Sequence, residues 1–123
     1  MNIKQIFDEI SSTSGNNAKM DILRNYSDNE LLKRVLYIAN SKRMKFYIKR
    51  IPDYTFDEIQ WTLDEGLDML IRFSNREITG QSAIDTLSIL LGNVSSDDAY
   101  IIERVIEKDC KIGMGSSFIN KVF

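Results

Sequence analysis

The sequence contains no histidine and only one cysteine, Cys110, in 123 residues. The absence of histidine excludes histidine-ligated zinc sites and nucleophilic catalysis by a Ser-His-Asp or Cys-His arrangement. A single cysteine cannot form a disulfide within the chain, which favours a reducing compartment. Cys110 also lacks a histidine base, so we predict that it is a small buried apolar residue and that the chain carries no catalytic nucleophile.

Long apolar runs are also missing. The longest uncharged stretch, Thr86 to Ser96, has eleven residues and falls short of the roughly 18 apolar residues of a membrane-spanning helix. Asp8 and Glu9 stand where a signal peptide would have its apolar core. We therefore expect a cytoplasmic protein with no signal peptide and no membrane partner.

The overall composition is that of an ordinary globular domain, with 43% hydrophobic residues, 28% charged residues and a net charge of −2. This length can bury a single core without disulfides or metal ions, so we assign residues 1–123 to one domain and expect a monomer. One proline and six glycines interrupt the chain, and apolar residues recur at spacings of three and four. That period predicts a compact all-α domain of about six or seven helices.

The same pattern places the individual helices. We predict helices over residues 3–10, 17–26, 31–40, 79–91 and 116–123, with another that follows Thr55 and another that begins at Ser96. Capping boxes are predicted at Ser27–Glu30 and Thr55–Glu58, and Thr79 is expected to cap the helix that carries the apolar face of Ala83, Ile84 and Leu87. Gly92-Asn93 is predicted to end that helix in a left-handed conformation. Residues 41–54 lack the helical period, and Pro52 favours an extended Ile51, so this segment is predicted to be irregular.

Charge is strongly polarised along the chain. Between Leu31 and Pro52 there are no acidic residues and seven basic ones: Lys33, Arg34, Lys42, Arg43, Lys45, Lys49 and Arg50. Residues 53–68 carry six acidic residues and no basic ones. The basic block would attract a polyanion, although a run of this kind is also typical of a solvated helix face and a lysine-rich loop. Phe46 and Ile48 within it are predicted to anchor the segment in the core rather than to stack on bases.

Two helix starts offer sites of the size of a phosphate group. In the stretch Lys111 to Ser117, Gly113 and Gly115 permit close approach of the backbone, and the helix that follows has unpaired N–H groups. Thr79-Gly80 is a comparable start. Neither matches a dinucleotide fingerprint or a P-loop, and taken alone each is better explained as an ordinary helix end followed by a helix cap.

Two pairs of carboxylates are weaker evidence for a metal site than the two helix starts are for an anion site. Asp64 with Asp68, and Asp97 with Asp98, are conceivable magnesium ligands, but acidic residues at helix starts and on solvated faces are commonly structural. We therefore predict no metal site in this chain.

Five blocks of the sequence, in the same order, resemble the N-terminal DNA-binding domain of ATP-dependent DNA ligases, in particular those of T-even phages. They are Phe7-Asp8-Glu9-Ile10, Asp28-Asn29-Glu30-Leu31-Leu32-Lys33-Arg34-Val35, Phe46-Tyr47-Ile48-Lys49, Ile78-Thr79-Gly80 with Ala83-Ile84, and Ile119-Asn120-Lys121-Val122-Phe123. The resemblance covers the whole chain. It implies an all-helical domain that grips nicked double-stranded DNA through the minor-groove backbone in replication and repair, inside a bacterial or phage-infected cell.

The resemblance also implies that catalysis lies elsewhere. Ligases of this family form a covalent adenylate on the lysine of a Lys-x-Asp-Gly motif, whereas the nearest string here, Lys19-Met20-Asp21-Ile22, lacks the glycine. We expect no ligation by this chain alone and no cofactor in it; ATP and magnesium are implied for the full ligase, whose catalytic domains would be partners. The DNA-binding residues that we carry over are Lys42, Arg43, Lys45, Lys49, Thr79, Gly80, Lys111, Gly113, Gly115, Ser116, Ser117 and Lys121.

A protein-interaction function is the alternative. A helical module could dock a replication partner such as a sliding clamp through the acidic stretch Asp53 to Asp68 or through an exposed aromatic residue. Such a module would associate tightly with protein and would lack a salt-sensitive affinity for nicked duplex DNA.

Overall fold

Seven α-helices form the regular structure of residues 2–123, the part of the chain that the computed structural model describes, and these residues include no strand. The predicted all-α fold is confirmed. The helices are α1 (Ile3–Ser11), α2 (Asn16–Asn25), α3 (Glu30–Asn40), α4 (Leu63–Ser74), α5 (Gly80–Gly92), α6 (Ser96–Glu107) and α7 (Ser116–Val122).

Helix α6 lies at the centre of the fold and packs against α1, α3, α4 and α5. Its consecutive residues Ile101 and Ile102 are both fully buried, although neighbouring side chains on a helix point about 100° apart. A helix that is surrounded by others needs such a wide apolar arc. Helix α2 contacts α1 and α7, so the last helix is held at one side of the core.

The predicted apolar faces are buried with one clear exception. Ile84 on α5 is 38% exposed, so its assignment to the core is wrong. Helix α5 packs against α6, and the side of α5 that carries Ile84 lies toward solvent. None of the helices in residues 2–123 combines the length and apolar character of a membrane span.

Two helix starts differ from the sequence prediction. Asn29, rather than Ser27, caps α3, because its side chain accepts a hydrogen bond from the N–H of Leu32. Helix α4 begins only at Leu63, where Thr62 and Glu65 form a capping box. The predicted box at Thr55–Glu58 is absent because tertiary hydrogen bonds hold this stretch in an irregular conformation.

The end of α5 also differs from the prediction. Asn93 has a φ of −125° and Gly92 is helical, so the left-handed stop is wrong. Gly92 serves close packing instead: a Cβ there would lie 2.6 Å from the carbonyl oxygen of Thr55. The N–H of Asp57 donates to the carbonyl of Gly92 over 2.7 Å, which holds the preceding connection against the end of α5.

The connection between α3 and α4, residues 41–62, has no regular secondary structure. It carries five of the seven residues of the basic block: Lys42, Arg43, Lys45, Lys49 and Arg50. Its irregular first part agrees with the prediction. Phe46 is 4% exposed and anchors this part in the core, whereas Ile48 is half-buried. The connection therefore has a defined position although it lacks helical hydrogen bonds.

Candidate nucleic-acid interface

The basic segment, which we define as residues 41–50, presents five cations to solvent. Lys42, Arg43, Lys45, Lys49 and Arg50 are all exposed, and within residues 2–123 none of them forms an ion pair. The other two basic residues of the block are neutralised. Lys33 pairs with Glu30 at 3.4 Å, and Arg34 pairs with Asp64 and Asp68. The positive charge available to a ligand is therefore concentrated in the irregular segment.

Lys108 holds the start of this segment against the end of α6. It adopts a left-handed conformation, with a φ of 56°, at the C-terminus of that helix. Its Nζ donates to the carbonyl oxygens of Ile38 at 3.2 Å and Ser41 at 2.8 Å, and it lies 5.4 Å from the centre of the Phe46 ring. Burial lowers the pKa of Lys108. This lysine serves the fold by capping the end of α3.

Another lysine, Lys19, is buried and shapes the glycine-containing turn before α7. Lys19 on α2 is 8% exposed, and its Nζ donates to the carbonyl of Ile112 at 2.7 Å. Gly113 has a φ of 71°, and a Cβ at this position would collide with the Lys19 amino group. Glycine is favoured here for its conformation, and a larger residue would displace the Lys19 amino group. The lysine of the string that most resembles the adenylation motif thus anchors a turn.

The turn before α7 lines a cleft together with the ends of α3 and α6. Asn40, at the end of α3, lines it together with Lys108, Lys111, Gly113 and Ser116. The predicted site residues Lys111, Gly113, Gly115, Ser116 and Ser117 are exposed, and Gly115 at the N-cap of α7 has no side chain that can cap the helix. Helix α7 has only seven residues, so the field at its start is weaker than that of a long helix. The exposed side chain of Lys111 is what this region offers to an anion, while the backbone N–H of Lys111 donates to Asp109.

Lys121 lies further along α7. It is exposed, and its Nζ is 5.1 Å from the centre of the Phe118 ring. It makes no ion pair within the described residues 2–123. Its charge is therefore available at the edge of the region around the turn.

The turn that leads into α5 also contacts the basic segment. Gly80 has a φ of 60°, Thr79 is extended, and the Thr79 side chain makes no capping hydrogen bond, which differs from the expected cap. The guanidinium carbon of Arg76 lies 4.1 Å from the centre of the Tyr47 ring. This contact connects the turn between α4 and α5 to the middle of the basic segment.

Most residues with left-handed backbone lie in three regions: the basic segment, the turn that leads into α5, and the stretch from the end of α6 to the turn before α7. Non-glycine residues with positive φ are uncommon, because Cβ crowds the backbone in that conformation. In residues 2–123 they are Tyr47, Arg76, Lys108 and Lys111, and the left-handed glycines Gly80 and Gly113 lie in the same regions. Contacts of Lys108 and Arg76 tie the regions together. The structure thus brings Ser41 and Phe46 of the basic segment to the end of α6, and Tyr47 to the turn that precedes α5.

Within residues 2–123 the carboxylates do not gather into a metal centre. Asp64 and Asp68 are occupied by Arg34, and Asp97 accepts a hydrogen bond from the side-chain amide of Asn2 at 2.8 Å. Burial raises the pKa of Asp98, and the neighbouring charge of Asp97 acts in the same direction. Across residues 2–123, no group of three or more potential metal ligands is found. These residues do not fit a magnesium site.

Cys110 is a packed apolar residue, as predicted. It is 8% exposed, and burial raises the pKa of its thiol to about 12. Lys108 and Arg104 act in the opposite direction but are outweighed by burial and by Asp109. The nucleophilic thiolate is therefore scarce at neutral pH.

Sequence reasoning missed three structural contributors to this surface: Lys19, Lys108 and the pair of Arg76 with Tyr47. Each contact joins positions that are far apart in sequence, with separations of 93 for Lys19 and Ile112 and 70 for Lys108 and Ile38. A single sequence carries no local signal for such pairs. Only the position of Lys108 at a helix end was a hint, because lysine favours that place.

Comparison with solved structures finds the same fold in two other chains. The structure named "Pmar-Lig_PreS3" superposes with a TM-score of 0.90 and 17% sequence identity, covering 99% of this chain and 29% of that chain. A second structure, "Pmar-Lig_Pre.", gives a TM-score of 0.86 at 17% identity, with the same coverage of both chains. At this level of identity the likeness shows the fold alone. No protein-family model matches the sequence.

Comparison with curated proteins identifies the particular relatives. The chain is 34% identical over 125 residues to the DNA ligase of Enterobacteria phage T4, which covers 98% of this chain and 26% of the ligase. The DNA ligase of Enterobacteria phage T6 matches to the same extent. The resemblance to T-even phage DNA ligases is therefore confirmed, and the chain is a ligase-related domain. It spans about a quarter of the length of the relatives that it matches.

Proposed function

We propose that this domain binds nicked double-stranded DNA independently of sequence, as the DNA-binding domain of an ATP-dependent DNA ligase in replication and repair. The observation that carries the proposal is the basic segment, where five exposed cations lack an acidic partner within residues 2–123. Cations that no carboxylate neutralises are free to replace the counterions of a polyanion. The relationship to phage DNA ligases supports DNA as that polyanion.

The chemistry of the surface suits contacts to the nucleic-acid backbone. Lysine ammonium groups and exposed backbone N–H groups recognise phosphate oxygens, and such contacts carry no direct sequence information. An enzyme that seals nicks has to act at any sequence, so backbone contacts along the minor groove match that requirement. We assign these contacts to Lys42, Arg43, Lys45, Lys49, Thr79, Gly80, Lys111, Gly113, Gly115, Ser116, Ser117 and Lys121.

Catalysis is assigned to other parts of a ligase. The proposed partners of this domain are the nicked duplex and the catalytic domains of the same enzyme, where ATP and magnesium would act. Lys19 supports this division, because its amino group is committed to the carbonyl of Ile112 inside the fold. A lysine in that environment is not available to form an adenylate.

Salt-dependent binding tests the proposal. A fluorescently labelled nicked duplex is titrated with the 123-residue chain at several salt concentrations, and anisotropy gives the dissociation constants. If about five phosphates are contacted, log affinity falls with log salt with a slope of roughly −4 to −5. The double variant Lys42→Glu with Lys45→Glu should lose most of this affinity.

A matched control separates the local surface from overall charge. Arg24→Glu with Arg72→Glu produces the same net charge, but these residues lie on α2 and α4 and are paired with Asp21 and Glu77. This control should bind far better than the Lys42 and Lys45 variant. Equal losses in both double variants, or a wild-type slope near zero, would refute the proposal.

One observation favours the alternative of a protein-interaction module. Trp61, Met69, Ile89 and Leu90 line an apolar groove between α4 and α5, and Glu65 and Asp68 stand at the same groove. Ile89 is 57% exposed. A replication partner such as a sliding clamp could dock there without competing for the basic segment. Co-sedimentation with the clamp, lost in Ile89→Glu and kept in Lys42→Glu, would support this second function.

A further inference from the structure

Arg76 lies over the ring of Tyr47, which is in the middle of the basic segment, and both residues are exposed. The guanidinium carbon of Arg76 lies 4.1 Å from the centre of the Tyr47 ring. The ring is 59% exposed, so the pair stands on the surface. At this distance a planar guanidinium is held by both cation–π attraction and stacking.

The charge of Arg76 is not balanced by a carboxylate. Its sequence neighbour Glu77 pairs with Arg72 instead, at 3.6 Å. Among residues 2–123, Arg76 takes part in no ion pair, and its side chain donates no hydrogen bond. Stacking restricts the side chain but consumes none of its five N–H donors. These donors therefore remain free for a planar or tetrahedral oxygen ligand.

The backbone holds both members of the pair in an unusual conformation. Tyr47 has a φ of 60° and Arg76 a φ of 61°. Such values persist in bulky residues only where the surrounding structure enforces them, and they are concentrated at functional sites. Phe46, which is buried beside Tyr47, provides part of that support.

We infer that Arg76 binds a backbone phosphate of the nucleic acid through its guanidinium fork and that Tyr47 is the positioning residue that holds the fork in place. The inference rests on the proposed function and deepens it by adding a site between the basic segment and the start of α5. Arginine is suited to this role because two parallel N–H groups match two phosphate oxygens. Pre-ordering by the ring lowers the entropy that is lost when the phosphate binds.

Anisotropy titration of the labelled nicked duplex at several salt concentrations tests this role. Arg76→Gln should weaken binding roughly tenfold, the loss expected for one charge-assisted contact, and should make the salt slope shallower by about 0.9. Arg76→Lys should retain the wild-type slope but bind more weakly, because it keeps the charge and loses the fork. Tyr47→Leu should also keep the slope and lose affinity, while Tyr47→Phe should bind like wild type.

Arg72→Gln is the matched control, since it removes an exposed arginine from the same end of α4. It should leave affinity and slope unchanged, and thermal unfolding should show that every variant is folded. Wild-type binding together with an Arg76→Gln slope equal to that of Arg72→Gln would overturn the inference and leave the proposed function standing. Absence of salt-sensitive binding by wild type would overturn the proposed function first, and this inference with it.

Discussion

Lysine and arginine side chains in this domain occupy three different environments. Lys19 is buried and donates to a backbone carbonyl, Arg34 is held between two carboxylates, and Lys42 is exposed without an acidic partner in the part of the chain described. The residue types are nearly equivalent in charge, so the environment decides their role. Only the third kind can neutralise a phosphate without first breaking an interaction within the protein.

The reactivity of the Cys110 thiol tests whether this side chain is buried. Because burial raises its pKa to about 12, the thiolate is scarce at pH 8, and reaction with a disulfide reagent should be roughly a hundredfold slower than in urea. The native rate should keep climbing with pH up to pH 10 instead of levelling near the ordinary thiol pKa of about 8.5. Stopped-flow absorbance measures both rates.

An exposed thiol serves as the control for this experiment. Ser14→Cys in a Cys110→Ala background places a thiol in the exposed connection between α1 and α2. It should react at similar rates in buffer and in urea. Equal native rates for Cys110 and this control would contradict the buried environment.

The connection between α3 and α4 is unusual among the elements of the fold. Irregular segments longer than about 12–15 residues are uncommon in compact domains and are often functional. Residues 41–62 are kept in place by tertiary hydrogen bonds, including those from the N–H of Gln60 to Asn93 at 2.8 Å and from the Ser88 hydroxyl to Asp53 at 3.0 Å. This anchoring holds the second half of the connection against α5 without helical structure.

Two glycine substitutions test the close packing of this connection. Gly92→Ala should lower the free energy of unfolding by about 2 kcal/mol, because its Cβ meets the carbonyl oxygen of Thr55 at 2.6 Å and backbone must move. Gly66→Ala meets the mobile end of Ile102 at 2.8 Å, and a gain in helix propensity of about 1 kcal/mol offsets that contact. Urea denaturation followed by circular dichroism should therefore show a clear loss only for Gly92→Ala. Equal effects would contradict the assigned packing.

Element prediction succeeded where the signal was local and failed where it was not. The spacing of Leu32, Val35 and Leu36 puts these side chains on one face of a helix. This pattern is the same whichever element packs against that face, so α3 was predictable from the sequence. The capping box expected at Thr55–Glu58 had the right local sequence, yet the backbone of this stretch bonds to the end of α5 instead. Tertiary hydrogen bonds outweighed a local preference of about 1 kcal/mol.

At the scale of the whole molecule, a net charge of −2 conceals a polarised surface. Two residues of the acidic stretch, Asp64 and Asp68, pair with Arg34 and not with the cations of residues 41–50, which keep their positive charge unpaired within residues 2–123. Electrostatic attraction to a polyanion therefore depends on the arrangement of charge rather than on its sum.

Sequence indifference is the corresponding prediction for the whole interface. Two nicked duplexes of unrelated base sequence, compared at the same salt concentration, should bind with dissociation constants within about twofold of each other, because phosphate and sugar contacts do not read bases. Competition titration measures the ratio directly. A preference of tenfold or more for either duplex would indicate base contacts that the proposed surface does not supply.

The amino-acid sequence by itself determined the helical class, most helix positions, the exclusion of histidine chemistry and the relationship to phage ligases, because periodicity, composition and motif order are all local or additive properties. The tertiary structure decided which charged groups are free. Whether a lysine caps a helix, pairs with an acid or faces solvent depends on residues tens of positions away. Packing of the chain around α6 brings those residues together, and no local pattern encodes their distances.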